Sequence, residues 1–166
     1  MDFQLVHEVD IPRAAYFDVV LSPDFVAWVK QKMQQDERQV VRQEEVGGVL
    51  YRTVRSERVL SPKAQKHFKV PRFVMEEHLE IERERGFYRW RYVPNVGANR
   101  FTSHGTGQVE TQGDGVRLTI RGTVSFRIPL IGKRIERHTV GWLEKNFHQV
   151  LAGLEEFYRT GYRAGG

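Results

Sequence analysis

Cysteine is missing from all 166 residues. That one absence removes disulfides, thiolate nucleophiles, iron–sulfur clusters and every zinc site built on cysteine. A secreted disulfide scaffold is excluded with them. Long hydrophobic runs are missing too: no stretch approaches the ~20 apolar residues of a membrane span. Residues 1–11 alternate acidic with apolar side chains, which matches neither the basic-then-apolar plan of a signal peptide nor a transit peptide. The sequence reads as one soluble cytoplasmic domain over residues 1–166, of a size that buries about two-thirds of its unfolded surface and needs no staples.

Catalytic and metal signatures are equally scarce. His7, His67, His78, His104, His138 and His148 form no HxH on a strand and no HExxH on a helix, so no metal is expected. No serine sits in a nucleophile elbow. Gly105-Thr106-Gly107 lacks the third glycine and the helix start of a dinucleotide fold, so no cofactor is expected either.

What is present is charge and pattern. The chain is 28% charged and 40% hydrophobic, with a formal net charge of +5 and a pI near 9.6. Such a balance permits attraction to nucleic acid or to anionic lipid, and the location of the charge must decide between them. Phe3, Leu5, His7, Val9 and Ile11 alternate with polar residues as a half-buried strand does. Pro12 opens a short helix through Leu21. Ser22-Pro23-Asp24 restarts the chain into a second helix, which carries Phe25, Val26, Trp28, Val29 and Met33 in the i, i+3, i+4, i+8 pattern of one apolar face. Turn signals at Gly47-Gly48, Arg85-Gly86 and Gly113-Asp114-Gly115 then help to separate strands at 38–46, 49–59, 73–85, 87–93, 100–112 and 115–128, with longer links at 61–71 and 94–99. Their alternation leaves one face of the sheet densely charged and the other in need of cover. The cover is a long amphipathic helix over about 132–163, in which Val140, Leu143, Phe147, Leu151, Leu154 and Tyr158 step by three and four. Residues 163–166 are expected to fray.

The order strand, helix, helix, six antiparallel strands, long helix resembles the START-related helix-grip (SRPBCC) superfamily, which includes lipid-transfer domains, birch-pollen-type allergens and bacterial aromatase/cyclases. The segment Phe126-Arg127-Ile128-Pro129-Leu130-Ile131-Gly132-Lys133-Arg134-Ile135-Glu136 resembles the strand-to-helix junction of a bacterial subfamily of unknown function. The start, Phe3 to Leu21 followed by Ser22-Pro23-Asp24-Phe25, is similar to the same subfamily's. Neither segment is a catalytic signature: Pro129 ends a strand, Gly132 permits the turn, and Glu136 complements the helix dipole. The resemblance implies an α+β helix-grip fold, a curved antiparallel sheet of about seven strands (β-α-α-β6-α) wrapped around the C-terminal helix, with a ligand cavity between them.

If odd-numbered residues of strands 1–11, 73–85 and 100–112 face the helix, the cavity receives His7, Met75, Glu77 and Ser103. Strand 87–93 then turns Tyr88, Trp90 and Tyr92 inward and Arg89 and Arg91 outward. Inward Gly105, Gly107 and Gly122 either leave room for a ligand or let the sheet curve sharply. Glu77 interrupts an apolar face and needs a partner, which His7, Tyr51, Thr53 or Arg55 could supply, unless a bulge turns it to solvent. On the helix, Trp142, Asn146, Val150 and Gly153 share the pocket-facing edge, where Asn146 either bonds a ligand or sits at a wet margin.

A few polar groups in apolar surroundings suit a hydrophobic or amphipathic small molecule, lipid-like in character. The rings and arginines of 88–92 fall on opposite faces, which argues against nucleic acid as a partner. The loop 61–72 gathers Lys63, Lys66, Lys69 and Arg72 around Phe68, either as a contact with an anionic membrane or as a solvated lid. Binding or transfer of the ligand is the leading function, with no catalytic residue assigned. A cyclase-like enzyme using Glu77 or His7 as its acid/base comes second, and a basic interaction module with a filled core third.

Overall fold

The computed structural model describes residues 1–161. Strand β1 (Asp2–Val9) is followed by helices α1 (Arg13–Val20) and α2 (Pro23–Lys32), then by strands β2 (Glu37–Val46) and β3 (Val49–Val59). A short helix α3 (Pro62–Phe68) leads to β4 (Arg72–Glu82), β5 (Phe87–Pro94), β6 (Phe101–Gln112) and β7 (Gly115–Phe126), and α4 (Gly132–Thr160) closes the fold. The strands form one sheet in the order β1-β7-β6-β5-β4-β3-β2, with every pair antiparallel. This is the helix-grip α+β architecture implied above. No helix among the described residues is long and apolar enough to cross a membrane.

Local chemistry explains the element ends. Ser22 caps α2 by accepting the Phe25 N–H at 3.2 Å, with Pro23 in the first turn, where its missing N–H costs nothing. Gly47 and Gly48 take φ +60° and +78° between paired Val46 and Val49, the left-handed pair that a two-residue hairpin turn requires.

Three expectations need correction. The link 61–71 contains α3, capped by Ser61 on the Ala64 N–H at 3.3 Å and ended by Lys69 at φ +57°; its lysines and Phe68 therefore sit on or beside a helical turn rather than on a loop. Strand β4 stops at Glu82, three residues early. Glu136 lies beyond the first turn of α4 and accepts the Phe126 N–H at 2.9 Å, besides meeting the Met1 ammonium at 3.2 Å. That contact, with Phe126 as the larger cause, holds its carboxyl below the usual range, so it fastens the strand-to-helix junction instead of only complementing a dipole. The helix boundary near 163 and the fraying of 163–166 lie outside the described residues.

The packed core occupies one half of the molecule. Val9, Ile11, Val19, Val116 and Leu154 are almost wholly buried, and they join the end of β1, the start of β7, α1 and the C-terminal part of α4. Gly153 belongs here and not to the pocket edge: a Cβ at that position would strike the Trp28 indole of α2. Toward the other end of the sheet the interior is hollow.

Candidate functional site

A cavity of about 570 Å³ lies between the concave face of the sheet, α2 and α4, a size that suits a drug-sized or lipid-sized guest. Its apolar wall includes Phe25 and Val29 of α2, Met75 and Leu79 of β4, and Leu143 and Phe147 of α4. Tyr88, Trp90 and Tyr92 line it as the parity of β5 predicts, and so do Ser103, Trp142 and Asn146. Arg89 and Arg91 face the opposite side, where with His78, Glu80 and His104 they line a broad open depression on the wet face.

Glu77 does point into the cavity. Its Oε2 stands 3.2 Å from Arg38 Nη2, and its Oε1 accepts the Tyr92 hydroxyl at 3.2 Å. Arg38 also donates to Ser56 Oγ at 2.9 Å. Beside this cluster Arg52, only 3% exposed, donates to the Leu21 carbonyl at 2.9 Å and to Gln43 Oε1 at 3.0 Å. Loss of solvent lowers the pKa of its guanidinium, an effect that the Glu77 charge opposes and the Arg38 charge reinforces. Burial pushes the Tyr88 and Tyr92 hydroxyls far up, with the Glu77 charge adding to both, so both remain protonated donors at neutral pH.

None of the partners expected for Glu77 is the one that holds it. In β3 the even-numbered residues Arg52, Val54 and Ser56 line the cavity, so Tyr51 turns away and lies under the Arg42 guanidinium at 5.9 Å. Thr53 bonds His78 Nδ1 at 3.2 Å, and Arg55 pairs with Glu57 at 3.2 Å. His7 faces α4 but outside the cavity lining, with its Nδ1 2.7 Å from His148 Nδ1. Burial first, and the His148 charge second, lower its pKa. Asn146 reaches the cavity while donating to the Trp142 carbonyl at 2.7 Å, within its own helix.

The inward glycines are not empty space. Trp90 pairs with Gly105, and Gly105 with Gly122; the indole lies across both, 2.6 Å and 2.5 Å from where a Cβ would stand. Gly107 pairs with Tyr88, and a Cβ there would stand only 2.0 Å from Cζ of the phenol ring. The missing side chains let two large rings lie flat against the sheet, and the cavity is the space these rings leave below α4.

Sequence reasoning missed Gln35, Arg38 and Arg52. Trp90 Nε1, Arg38 Nε and Gln35 Oε1 are buried without a hydrogen-bond partner, and all three residues line the cavity. The three atoms themselves have almost no accessible surface, so a guest reaches them only if neighbouring side chains move. Among the described residues no group of three or more His, Asp or Glu side chains is placed to hold a metal.

The comparisons with known proteins agree with this geometry. The model of a family described as a protein of unknown function, DUF2505, matches residues 4–158. No curated protein matches the chain. Among solved structures, the protein TTHA0849 from Thermus thermophilus is similar with a TM-score of 0.66 at 17% identity, over 97% of this chain and 100% of the other. Ara h 8.0201 gives 0.68 at 10% identity over 97% and 99%. The Zhui aromatase/cyclase from a Streptomyces species gives 0.62 at 14% identity over 100% and 98%. Likeness at these identities establishes the helix-grip fold.

Proposed function

The chain belongs to this DUF2505 family of unknown function, and from that premise we propose that it binds, and carries to or from a membrane surface, a hydrophobic or amphipathic small molecule of lipid-like character. The observation that carries the reading is the cavity itself, about 570 Å³ with a largely apolar wall. Its polar groups are led by the cluster of Glu77, Arg38 and Tyr92 beside the buried Arg52, with Gln35, Ser103 and Asn146 also in the lining. The apolar wall favours a hydrocarbon or ring body, and the cluster favours a single oxygen-bearing end. Met75, Ser103, Tyr88 and Trp142 supply further contact surface. Lys63, Lys66, Phe68 and Lys69 at α3 are the candidates for transient contact with anionic lipid.

A cyclase-like reaction in the same cavity would need a free acid or base. Glu77 is instead engaged by a guanidinium and a phenol, an arrangement that suits an anchor better than a proton shuttle. The test is native mass spectrometry of the purified protein, followed by titration with a fluorescent apolar probe. A retained lipid-sized adduct, or saturable probe uptake displaced by a fatty acid, is the expected result. A bare protein that takes up neither would overturn the proposal.

A further inference from the structure

Antiparallel pairing brings the ends of β3, β5 and β7 and the starts of β4, β6 and α4 to one pole of the molecule. The segments 60–72, 94–101 and 126–138 at this pole carry nine Lys and Arg residues and a single carboxylate, Glu136. These three segments sum to +8 against the chain's net +5, while Asp2 at the start of β1 and Asp36 and Glu37 at the entry to β2 bring three carboxylates to the same pole. Arg72 is held by Glu57 at 3.1 Å. Lys63, Lys66, Lys69 and Lys133 enter no ion pair among the described residues.

The same pole collects exposed apolar side chains. Leu130 is fully exposed in the turn between β7 and α4, next to the half-exposed Ile131, and Phe68 projects from the end of α3. Leu130 also adopts φ +67°, a conformation that ordinarily belongs to Gly or Asn and that in a large apolar residue points to use rather than to stability. Trp142 lines the cavity and is 50% exposed, while Phe73 and Phe101, at the starts of β4 and β6, line it from the sheet. The cavity therefore meets solvent beside this pole.

We infer that the basic pole is a docking surface for an anionic lipid bilayer. Leu130, Ile131 and Phe68 enter the interface while the surrounding lysines and arginines sit among the headgroups, so that the cavity mouth is held against the lipid. A shallow apolar anchor and a polybasic rim are the two signals that together give stable yet reversible membrane attachment. The inference rests on the membrane half of the transfer reading and does not require that the cavity hold a lipid.

The test is flotation of the protein with vesicles of phosphatidylcholine, alone or mixed with phosphatidylglycerol, at low and high salt. Because the chain has no cysteine, Leu130→Cys can carry a single environment-sensitive dye, with Asp114→Cys on the β6–β7 turn as the control at the opposite pole. The expected result is flotation only with the anionic vesicles, weakened by salt, with a blue-shifted emission at position 130 and none at 114. Lys63→Gln, Lys66→Gln and Lys69→Gln together should weaken binding on the order of a hundredfold, about fivefold for each cation. Leu130→Asn, which suits the left-handed backbone, should lower vesicle binding while leaving the thermal midpoint unchanged or raised.

No flotation at low salt, equal shifts at both labels, or unaltered binding of Leu130→Asn would overturn the inference. So would binding to single-stranded DNA in place of vesicles. Uptake of the apolar probe in vesicle-free solution reports on the cavity separately: uptake without flotation sinks only the docking surface, and flotation without uptake sinks only the ligand reading.

Discussion

Glu77→Leu removes the acceptor of two donors at once. Arg38 and Glu77 are 16% and 19% exposed and their charged atoms lie 3.2 Å apart. After the substitution Arg38 keeps the Ser56 hydroxyl, but its charge stands in an apolar wall near Arg52, and the Tyr92 hydroxyl loses its partner. Breaking a fully buried pair costs about 3–5 kcal/mol; the residual exposure and the adjacent cavity reduce this to ~2–3 kcal/mol. With an unfolding entropy of about 350 cal/mol/K for a chain of this length, the melting temperature should fall by roughly 6–9 °C. Arg38→Met combined with Glu77→Leu removes both charges and should recover most of the loss, a coupling of ~2 kcal/mol. Urea denaturation followed by tryptophan fluorescence measures all four corners of this cycle. If the two single substitutions add to within about 0.5 kcal/mol, water entering the cavity already solvates both charges, and the reasoning that makes this cluster a dry polar anchor fails.

Gly107→Ala should force the Tyr88 ring off the sheet and into the cavity, costing about 1–3 kcal/mol and weakening apolar probe uptake; an unaltered probe affinity would show that Tyr88 is no wall of the site. Trp142→Ala, at a half-exposed position on the cavity rim, should weaken probe binding while changing stability by less than ~1 kcal/mol, and a large loss of stability with intact binding would refute that assignment. The pH dependence has a definite sign. Burial and His148 lower the pKa of His7 below its ordinary 6.5, so the unfolded chain takes up a proton before the folded one does. The stabilisation is present above about pH 6.5 and is lost as pH falls from there toward the lower folded-state value. Stability measured in urea at stepped pH should show this decline, and His7→Phe should make it shallower; equal slopes in both proteins would contradict it.

How much of this was legible in the sequence depends on how cleanly each strand separates its two faces. In β4, Phe73, Met75, Leu79 and Ile81 share one parity, so the inward position of Glu77 could be read directly. In β3 both parities mix polar with apolar residues, Tyr51 and Thr53 against Arg52 and Val54, and alternation alone could not say that Arg52 is buried. The cross-strand relation of Gly105 to Trp90 and of Gly107 to Tyr88 is a matter of register, which a single strand's sequence does not contain; only pairing reveals that the glycines receive rings. Helix α3 announced itself by Ser61-Pro62, the same opening as Ser22-Pro23 of α2, but it buries no side chain, so it offered no apolar period to detect. The cluster at 61–72 was visible in the sequence, but its union with the basic residues of 94–101 and 126–138 appears only when the antiparallel order places those connections side by side.

Strand β1 is held almost entirely by residues near the other end of the chain. It pairs only with β7, His7 meets His148 across 141 positions, and the Asp10 N–H meets Glu155 across 145. During synthesis β2 through β7 can zip together hairpin by hairpin, each strand pairing with the one made just before it. The first strand has nowhere to dock until β7 has emerged, and nothing to lean on until α4 follows. Because such distant contacts close late and slowly, the nascent chain carries β7 as an open edge for as long as α4 is unfinished, a template for pairing with a second chain. A ribosome pause within the codons of α4 would lengthen that exposure, because β1, although made before β7, can pair only after it.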